Sequence, residues 1–321
     1  MRHIFLLDPL SQLNIRKDSS LMMALTLQKK AQVKILFLQD FFIHNNKKME
    51  FKVYDFKGAF EKESFYLKCF SLTKQTSISL DSQDILHMRL DPPVDGRYVQ
   101  VLWLLSFLQK KGIRVVNNPQ SLLLYNEKLL AYTHKQSPPS LVSFSREKII
   151  AETKKMYQAG QRYIILKPLD LFSGIGVTKI TLKEKNKKWD ESSFEKKLII
   201  LQKKFTGPLV LQSFLSQVYK GEVRALYFKG KELGSILKIP KAGKFLSNIA
   251  QGGTFHPCKL NKNQKKICDE ISKQLFKEGI LFVAFDVLGD LVTEVNITCP
   301  GLLVEVSQAY KRNLALEMNF N

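Results

Sequence analysis

The stretch that most narrows what this chain can fold into runs from Phe282 to Thr298. Two β-rich arms, Phe282 to Leu288 and Val292 to Thr298, flank a Gly289-Asp290 turn signal. Three oxygen-bearing side chains interrupt their apolar pattern. Glu294 and Asn296 stand two apart and so share one face of a strand. Asp286 joins them from the other arm only if it pairs with Glu294. A loop of Gly289-Asp290 alone would set Asp286 against Thr293, whereas a loop of Gly289 to Leu291 closes Leu288 on Val292 and brings Asp286 opposite Glu294. The longer loop is therefore expected. Two carboxylates and an amide oxygen on one sheet face suit Mg²⁺, a hard cation that keeps room for water and substrate phosphates. A solvated strand face is the plainer account, but Asp and Asn are depleted in strands and need a reason to sit among Phe285, Val287, Val295 and Ile297.

The other 300 or so residues of this 321-residue chain are enough for two or three lobes around a sizeable core. The opening Met1 to Pro9 is too short an apolar run for a signal sequence, and no later run approaches a membrane span, so the cytoplasm is the expected compartment. Cys69, Cys258, Cys268 and Cys299 show no CxxC spacing, which points to reduced thiols rather than a disulfide framework or zinc site. The formal charge of +21 raises the question of nucleic acid. Lysine supplies most of it, scattered over nearly every amphipathic segment and without the arginine and exposed aromatics of nucleic-acid grooves. Nucleic acid is not an expected partner.

Taken in order, Ile4 to Leu7 is a strand, and a helix follows with Asp18 or Ser19 as its N-cap and Arg16 and Lys17 beside its anion-attracting end. Val33 to Leu38 is a second strand, so the start reads β-α-β, an open α/β layer. Residues 45–80 read as a meander of strands. Arg89 and Asp91 lie just past a strand's C-terminal end, where such sheets present ligands, although a surface ion pair explains them equally. Ser121 to Lys135 is read as one helix carrying Lys128. Lys167 ends the apolar strand Tyr163 to Leu166 and precedes the loop holding Gly174 and Gly176, and strand Thr178 to Leu182 then completes a hairpin suited to cover phosphate. The strand Leu209 to Leu215 ends in Gln212, Phe214 and Leu215, a place for an adenine edge. Arg224 and Lys238, on later strands, bring positive charge toward the central hairpin or belong to solvated faces. Gly252 and Gly253, after Asn248, permit close backbone approach.

These parts together resemble the bacterial glutathione synthetase family of the ATP-grasp superfamily over nearly the whole chain. The resemblance rests on Asn14 to Ser20, Met88 to Pro93, Asn118 to Ser121 with Asn126 to Lys128, Ile165 to Asp170, Asn248 to Gly253 and Asp286 to Asn296. It implies an α/β (α+β) architecture: an N-terminal open α/β domain over 1–122, an ATP-grasp lid over 123–205 and a C-terminal metal-bearing sheet over 206–321. Lys128 and Lys167 would meet the phosphates of ATP, and Gln212 to Leu215 the adenine. Asp286, Glu294 and Asn296 would hold Mg²⁺, with Mn²⁺ as a substitute. Arg224, Lys238 and the loop of Asn248, Gly252 and Gly253 would face an acyl phosphate. Asn14, Arg16, Asp18, Ser19, Arg89 and Asp91 would face the substrate, an acidic peptide joined to an amino acid.

The implied enzyme is a ligase joining γ-glutamylcysteine to glycine with release of ADP and phosphate, and a homo-oligomer. A ligase for another acidic peptide or amine, or a nucleotide-binding protein without catalysis, are the alternatives. Three departures stand out. The lid has fewer glycines than the family's, and Leu246 and Val304 occupy positions where the family carries arginine, both expected near the substrate.

Overall fold

The computed structural model describes every residue except Asn46, Phe172, Ser173, Lys187, Asn248, Ala250, Gln251 and Asn321. The first apolar run forms β1 (Arg2–Leu7), and α1 (Ser19–Leu27) returns the chain to a parallel neighbour, β2 (Gln32–Phe37). Asp18 caps α1 by accepting from the Leu21 N–H at 2.8 Å. The meander is an antiparallel pair, β3 (Phe51–Phe60) and β4 (Leu67–Ile78). The layer is completed by β5 (Ile85–Arg89), α2 (Gly96–Lys110) and β6 (Arg114–Val116). Among the described residues this is a six-stranded sheet in the order β4-β3-β2-β1-β5-β6, with β2, β1, β5 and β6 parallel.

The single helix expected from Ser121 to Lys135 is two: α3 (Pro119–Leu124) and α4 (Glu127–Tyr132). Between them Asn126 takes an extended conformation, and its side-chain oxygen accepts from the N–H groups of Lys128 and Leu129. Asparagine serves a cap better than a helix interior, and here it starts a new helix.

A second sheet follows from β7 (Ser140–Ser143), α5 (Arg146–Gln158), β8 (Tyr163–Pro168), β9 (Thr178–Thr181), the short pair β10 (Glu184–Lys185) and β11 (Lys188–Trp189), α6 (Glu191–Lys204) and β12 (Leu209–Ser213). Its described strands run β7-β12-β8-β9, all antiparallel. The third sheet holds β13 (Glu222–Phe228), β14 (Lys231–Ile239) and β15 (Thr254–Cys258), then, after α7 (Lys262–Lys277), β16 (Phe282–Leu288) and β17 (Leu291–Asn296), in the order β15-β14-β13-β16-β17. Helix α7 starts where a reciprocal cap between Asn261 and Gln264 satisfies its first N–H groups. Helix α8 (Leu303–Tyr310) packs back against β14 and β15.

The central hairpin reaches the expected pairing by a different device. Its turn is only Gly289-Asp290, with Leu288 against Leu291 and Val287 against Val292. Gly289 sits at φ +58°, the left-handed conformation glycine supplies at the first position of such turns. The next pair is Asp286 with Glu294, so Thr293 is an extra residue, a β-bulge in β17. Its hydroxyl donates to the Asp286 carbonyl at 3.1 Å. The bulge restores the register that a short turn would have shifted.

Two apolar clusters each draw on both the N-terminal and the C-terminal sheet: Leu6, Leu86 and Leu102 share one with Phe285 and Val295, and Phe5 and Leu21 share the other with Phe282 and Val304. Asn117 locks this union. Its amide NH₂ donates to the carbonyls of Phe282 and Ile297, and its oxygen accepts from the N–H groups of Leu281 and Phe282. The second sheet has a core of its own, Ile149, Ile164, Leu166, Phe194, Leu198 and Leu211 among its members.

Candidate active site

On the third sheet, register decides which side chains meet. Glu222 pairs with Lys238, Arg224 with Asp286, and Asp286 with Glu294, while Asn296 follows Glu294 by two. Cross-strand partners and residues two apart share a face, so four strands present one continuous charged surface. Asp286 is its centre. Its Oδ1 accepts from Lys238 Nζ at 2.7 Å and its Oδ2 from Arg224 Nη1 at 3.0 Å and Asn296 Nδ2 at 3.1 Å. Lys238 also meets Glu222 at 2.7 Å, and Lys128 meets Glu294 at 3.1 Å.

Asp286 and Lys238 are buried, and burial by itself disfavours charge. Burial opposes ionisation of Asp286, yet Arg224 and Lys238 outweigh it and hold the carboxyl below its ordinary range. Burial likewise opposes the Lys238 ammonium, but Asp286 and Glu222 hold it above its ordinary range.

A cavity of about 540 Å³ separates this face from the second sheet. Ile165, Lys167 and Gln212 line its other wall, with Phe214 and Leu215 past the end of β12. Lys167 is half-buried. Among the described residues it has no hydrogen-bond or ion-pair partner, only the Tyr132 ring at 6.0 Å. Desolvation lowers its pKa, with partial compensation from Glu294, Glu222 and Asp286. Lys128 bridges the walls: besides Glu294 it donates to the carbonyls of Leu171 at 2.6 Å and Leu169 at 3.3 Å, at the root of the glycine loop.

The cavity gathers most of the residues singled out from the sequence. Asn14, Asp18, Ser19, Arg89, Asp91, Lys128, Lys167, Gly174, Gln212, Phe214, Leu215, Arg224, Lys238, Asp286, Glu294 and Asn296 all line it. Arg16 does not. It forms a two-bond ion pair with Glu61 at 2.8 and 3.1 Å and lies over the Tyr66 ring, on the surface. Gly176 is not a lining residue either. At φ +77°, a Cβ there would come within 2.8 Å of Pro168, so it serves the loop's close packing. Gly252 and Gly253 stand off the cavity, and Asn248 lies outside the described residues. Arg89 is engaged by Ser20 Oγ at 2.8 Å and the Pro300 carbonyl at 2.9 Å, so it braces two elements as well as lining the site. The two departures part company: Leu246 lines the cavity against Gly174, but Val304 is fully buried in the core.

Sequence reading missed three carboxylates. Glu222 was legible, two residues before Arg224 on the same face. Glu127 lies within the Asn126 to Lys128 stretch but was given no role, and it accepts from the N–H groups of Ile297 and Thr298 and the Thr298 hydroxyl, tying α4 to the end of β17. Glu305 lines the far end of the cavity.

Asp286, Glu294 and the Asn296 amide offer hard oxygen donors, and three cations stand by them, a donor set that fits a divalent metal shared with polyphosphate. Among the described residues no cluster of three or more His, Cys, Asp and Glu is placed to hold a metal alone.

The arrangement of the three larger sheets is the ATP-grasp fold. The crystal structure of the D-cycloserine synthetase DcsG superimposes with a TM-score of 0.63 at 12% identity, covering 98% of this chain and 97% of that one. D-alanine–D-alanine ligase from Bacillus anthracis, complexed with ATP, gives 0.56 at 16% identity, covering 99% and 95%.

The particular family follows from sequence. The model of the prokaryotic glutathione synthetase N-terminal domain matches residues 1–122, and that of the prokaryotic glutathione synthetase ATP-grasp domain matches 127–311. The chain belongs to the prokaryotic glutathione synthetase family. A glutathione synthetase of Prochlorococcus marinus is 29% identical over 318 residues, 98% of this chain and 96% of the relative. No helix among the described residues is long and apolar enough to cross a membrane.

Proposed function

We propose that this protein joins γ-glutamylcysteine to glycine, consuming ATP in the presence of Mg²⁺ and releasing ADP and phosphate through an acyl phosphate. The observation that carries the reading is the charged face of Glu222, Arg224, Lys238, Asp286, Glu294 and Asn296 looking across one cavity at Lys167 and Gln212.

In this reading Lys128 and Lys167 neutralise the nucleotide phosphates, and the end of β12, Gln212 to Leu215, holds the adenine edge. Asp286, Glu294 and Asn296 would hold Mg²⁺, with Mn²⁺ as its substitute, and the ion would supply screening of the negative charge on polyphosphate and peptide carboxylate. Arg224 and Lys238 then face the phosphorylated carboxyl. Their fixed positive charge stabilises the oxyanion that forms when the amine of glycine adds, before phosphate leaves. Their pairing with Asp286 keeps them oriented beforehand. Lys128, held to the carbonyls of Leu169 and Leu171, couples the phosphate site to the loop that excludes water.

The test is product mass and phosphate release after incubating the protein with ATP, Mg²⁺, γ-glutamylcysteine and glycine, beside a panel of other acidic peptides and amines. Glutathione should appear with a turnover of about 1 s⁻¹ or more. ADP with a different amide would establish the second reading, a ligase of another acidic peptide, which Leu246 in the cavity wall favours. Neither product would sink both.

A further inference from the structure

The cavity's charges balance at its centre, but one carboxylate at its far end does not. Glu305 stands in the first turn of α8 and is 2% exposed. Its Oε2 is buried with no hydrogen-bond partner among the described residues. Glu305 forms no ion pair within 4.0 Å there, and Lys17 and Arg224 act on it only at longer range. Burial pushes its carboxyl pKa up.

A second carboxylate lies close by. Asp18, half-buried and pushed up to about 6 by desolvation, caps α1, and its neighbour Ser19 accepts through Oγ from the Leu303 N–H at the start of α8. The starts of α1 and α8 thus meet at this end of the cavity. Helix N-termini attract anions and can explain one carboxylate each. They do not explain an oxygen left without a donor, since an unmet buried acceptor is costly. Nucleotide phosphate cannot meet this need, being negative itself. What suits it is a substrate cation rich in N–H donors.

We propose that Glu305 receives an ammonium group of the substrate, with Asp18 as the second acidic wall and Lys17 beside them for an accompanying carboxylate: a receptor for the α-amino-acid head of the peptide. This rests on the ligase reading above and adds to it the group that the far end of the cavity selects. An amino-acid head carries its ammonium and its carboxylate on one carbon, and Glu305, Asp18 and Lys17 offer acidic and basic side chains together along one stretch of the lining; the reacting carboxyl is left to Arg224 and Lys238.

The experiment is a cycle of two changes on the full-length protein: Glu305→Gln, and γ-glutamylcysteine replaced by glutaryl-cysteine, which lacks only the α-ammonium. Steady-state kinetics gives KM and kcat for peptide, glycine and ATP, and calorimetric titration of each peptide gives affinity in the presence of Mg²⁺ and a non-hydrolysable ATP analogue. Glu305→Gln should raise the KM for γ-glutamylcysteine ~10–100-fold, the range for a charged hydrogen bond, with the KM for ATP unchanged. Wild type should reject glutaryl-cysteine, and the variant should discriminate about tenfold less or weaker still. An equal rise in the KM for glycine, with peptide discrimination intact, would assign the ammonium to the amine substrate and overturn the peptide-head proposal. A variant that melts earlier but discriminates as wild type does would overturn it too, because a purely structural Glu305 shifts stability without coupling to the ammonium. If γ-glutamylcysteine is not ligated, the functional reading fails by itself; the same cycle is then run by calorimetry on peptides of the panel with and without an α-amino group, and absence of any ammonium-dependent binding sinks the proposal as well.

Discussion

The two walls of the cavity are built on opposite plans. The third sheet shares its core with the N-terminal sheet and arrives with its charges already matched: Asp286 holds Arg224 and Lys238, and Glu294 holds Lys128. The second sheet has a separate core, and its lysine at the cavity, Lys167, has no ion pair among the described residues. It also exposes Tyr163 and Ile175. The difference teaches how a ligase can be both preorganised and able to admit substrate. The wall that fixes the reacting groups cannot move without unpacking the body, whereas a wall with its own core can shift as a unit. Matched charges keep their geometry before substrate arrives; the unmatched one is the cation that the proposed reading assigns to the polyphosphate.

The largest effect should come from the centre of the fixed wall. Asp286→Asn should lower ligation about a thousandfold or more, because it removes the charge of the proposed metal carboxylate and the ionic partner that orients Arg224 and Lys238. Product formation by mass spectrometry measures it. Near-wild-type turnover would end the assignment of this face as the reacting surface.

A matched pair of substitutions tests the contrast itself. Lys238→Met leaves Asp286 and Glu222 short of a cation in a buried setting, and should cost about 3–5 kcal/mol in denaturant unfolding. Lys167→Met takes away a partly desolvated charge that has no ion pair, and should change stability by no more than ~0.5 kcal/mol, while raising the KM for ATP ~10–100-fold. Equal destabilisation by both would show that the two walls are not built differently.

How much of this was legible in the sequence follows the same division. The shared face of Asp286, Glu294 and Asn296 showed itself because Asp and Asn are out of place in apolar strands, and the β-α-β opening because its periodicity is local. The hairpin's turn was misjudged because a bulge at Thr293 does the work assigned to a third loop residue, and bulges leave no compositional mark on one strand alone. Arg16 drew attention beside a helix start, but a glutamate 45 residues away, Glu61, claims it. Long-range partners of this kind, like those of Glu127 and Asn117, are properties of packing and not of spacing.

The positions where the family carries arginine sharpen the comparison further. Both were expected near the substrate, but only Leu246 lines the cavity, while Val304 is buried among apolar side chains. Val304→Arg should therefore destabilise by about 3 kcal/mol or more, the cost of an unpaired buried cation. Leu246→Arg should leave stability within ~1 kcal/mol and lower the KM for the acidic peptide. Thermal melting with peptide kinetics separates them, and a stable Val304→Arg protein with improved peptide affinity would reverse the placement.

The smallest effect expected is a response to acid confined to the body. His3 and His87 lie 2.9 Å apart in the N-terminal sheet, stacked with Phe5 and capped by Phe320. Burial, then the nearby charge of Arg114, lowers His3 to about 4 from 6.5. Burial, with His3, Arg89 and Arg114, lowers His87 as well. Folded-state values below the unfolded one mean that the unfolded chain binds more protons in between, so this contribution to stability is full above about pH 6.5 and is lost as pH falls toward 4. Asp286, also depressed, loses its contribution only at lower pH, below its ordinary 3.8. Asp18 acts the other way, since its carboxyl, raised to about 6 by burial, gives the folded state the extra proton and adds stability as pH falls. Melting curves between pH 7.5 and 4.5 report the balance of the two before the central ion pairs are touched, and His87→Leu should remove the histidine share and tilt that balance toward greater stability in acid. The second sheet should respond separately from the body in this window, which tryptophan emission from Trp189 in β11 and Trp103 in α2 can distinguish; simultaneous loss of both signals would mean that the second sheet's separate core confers no independence.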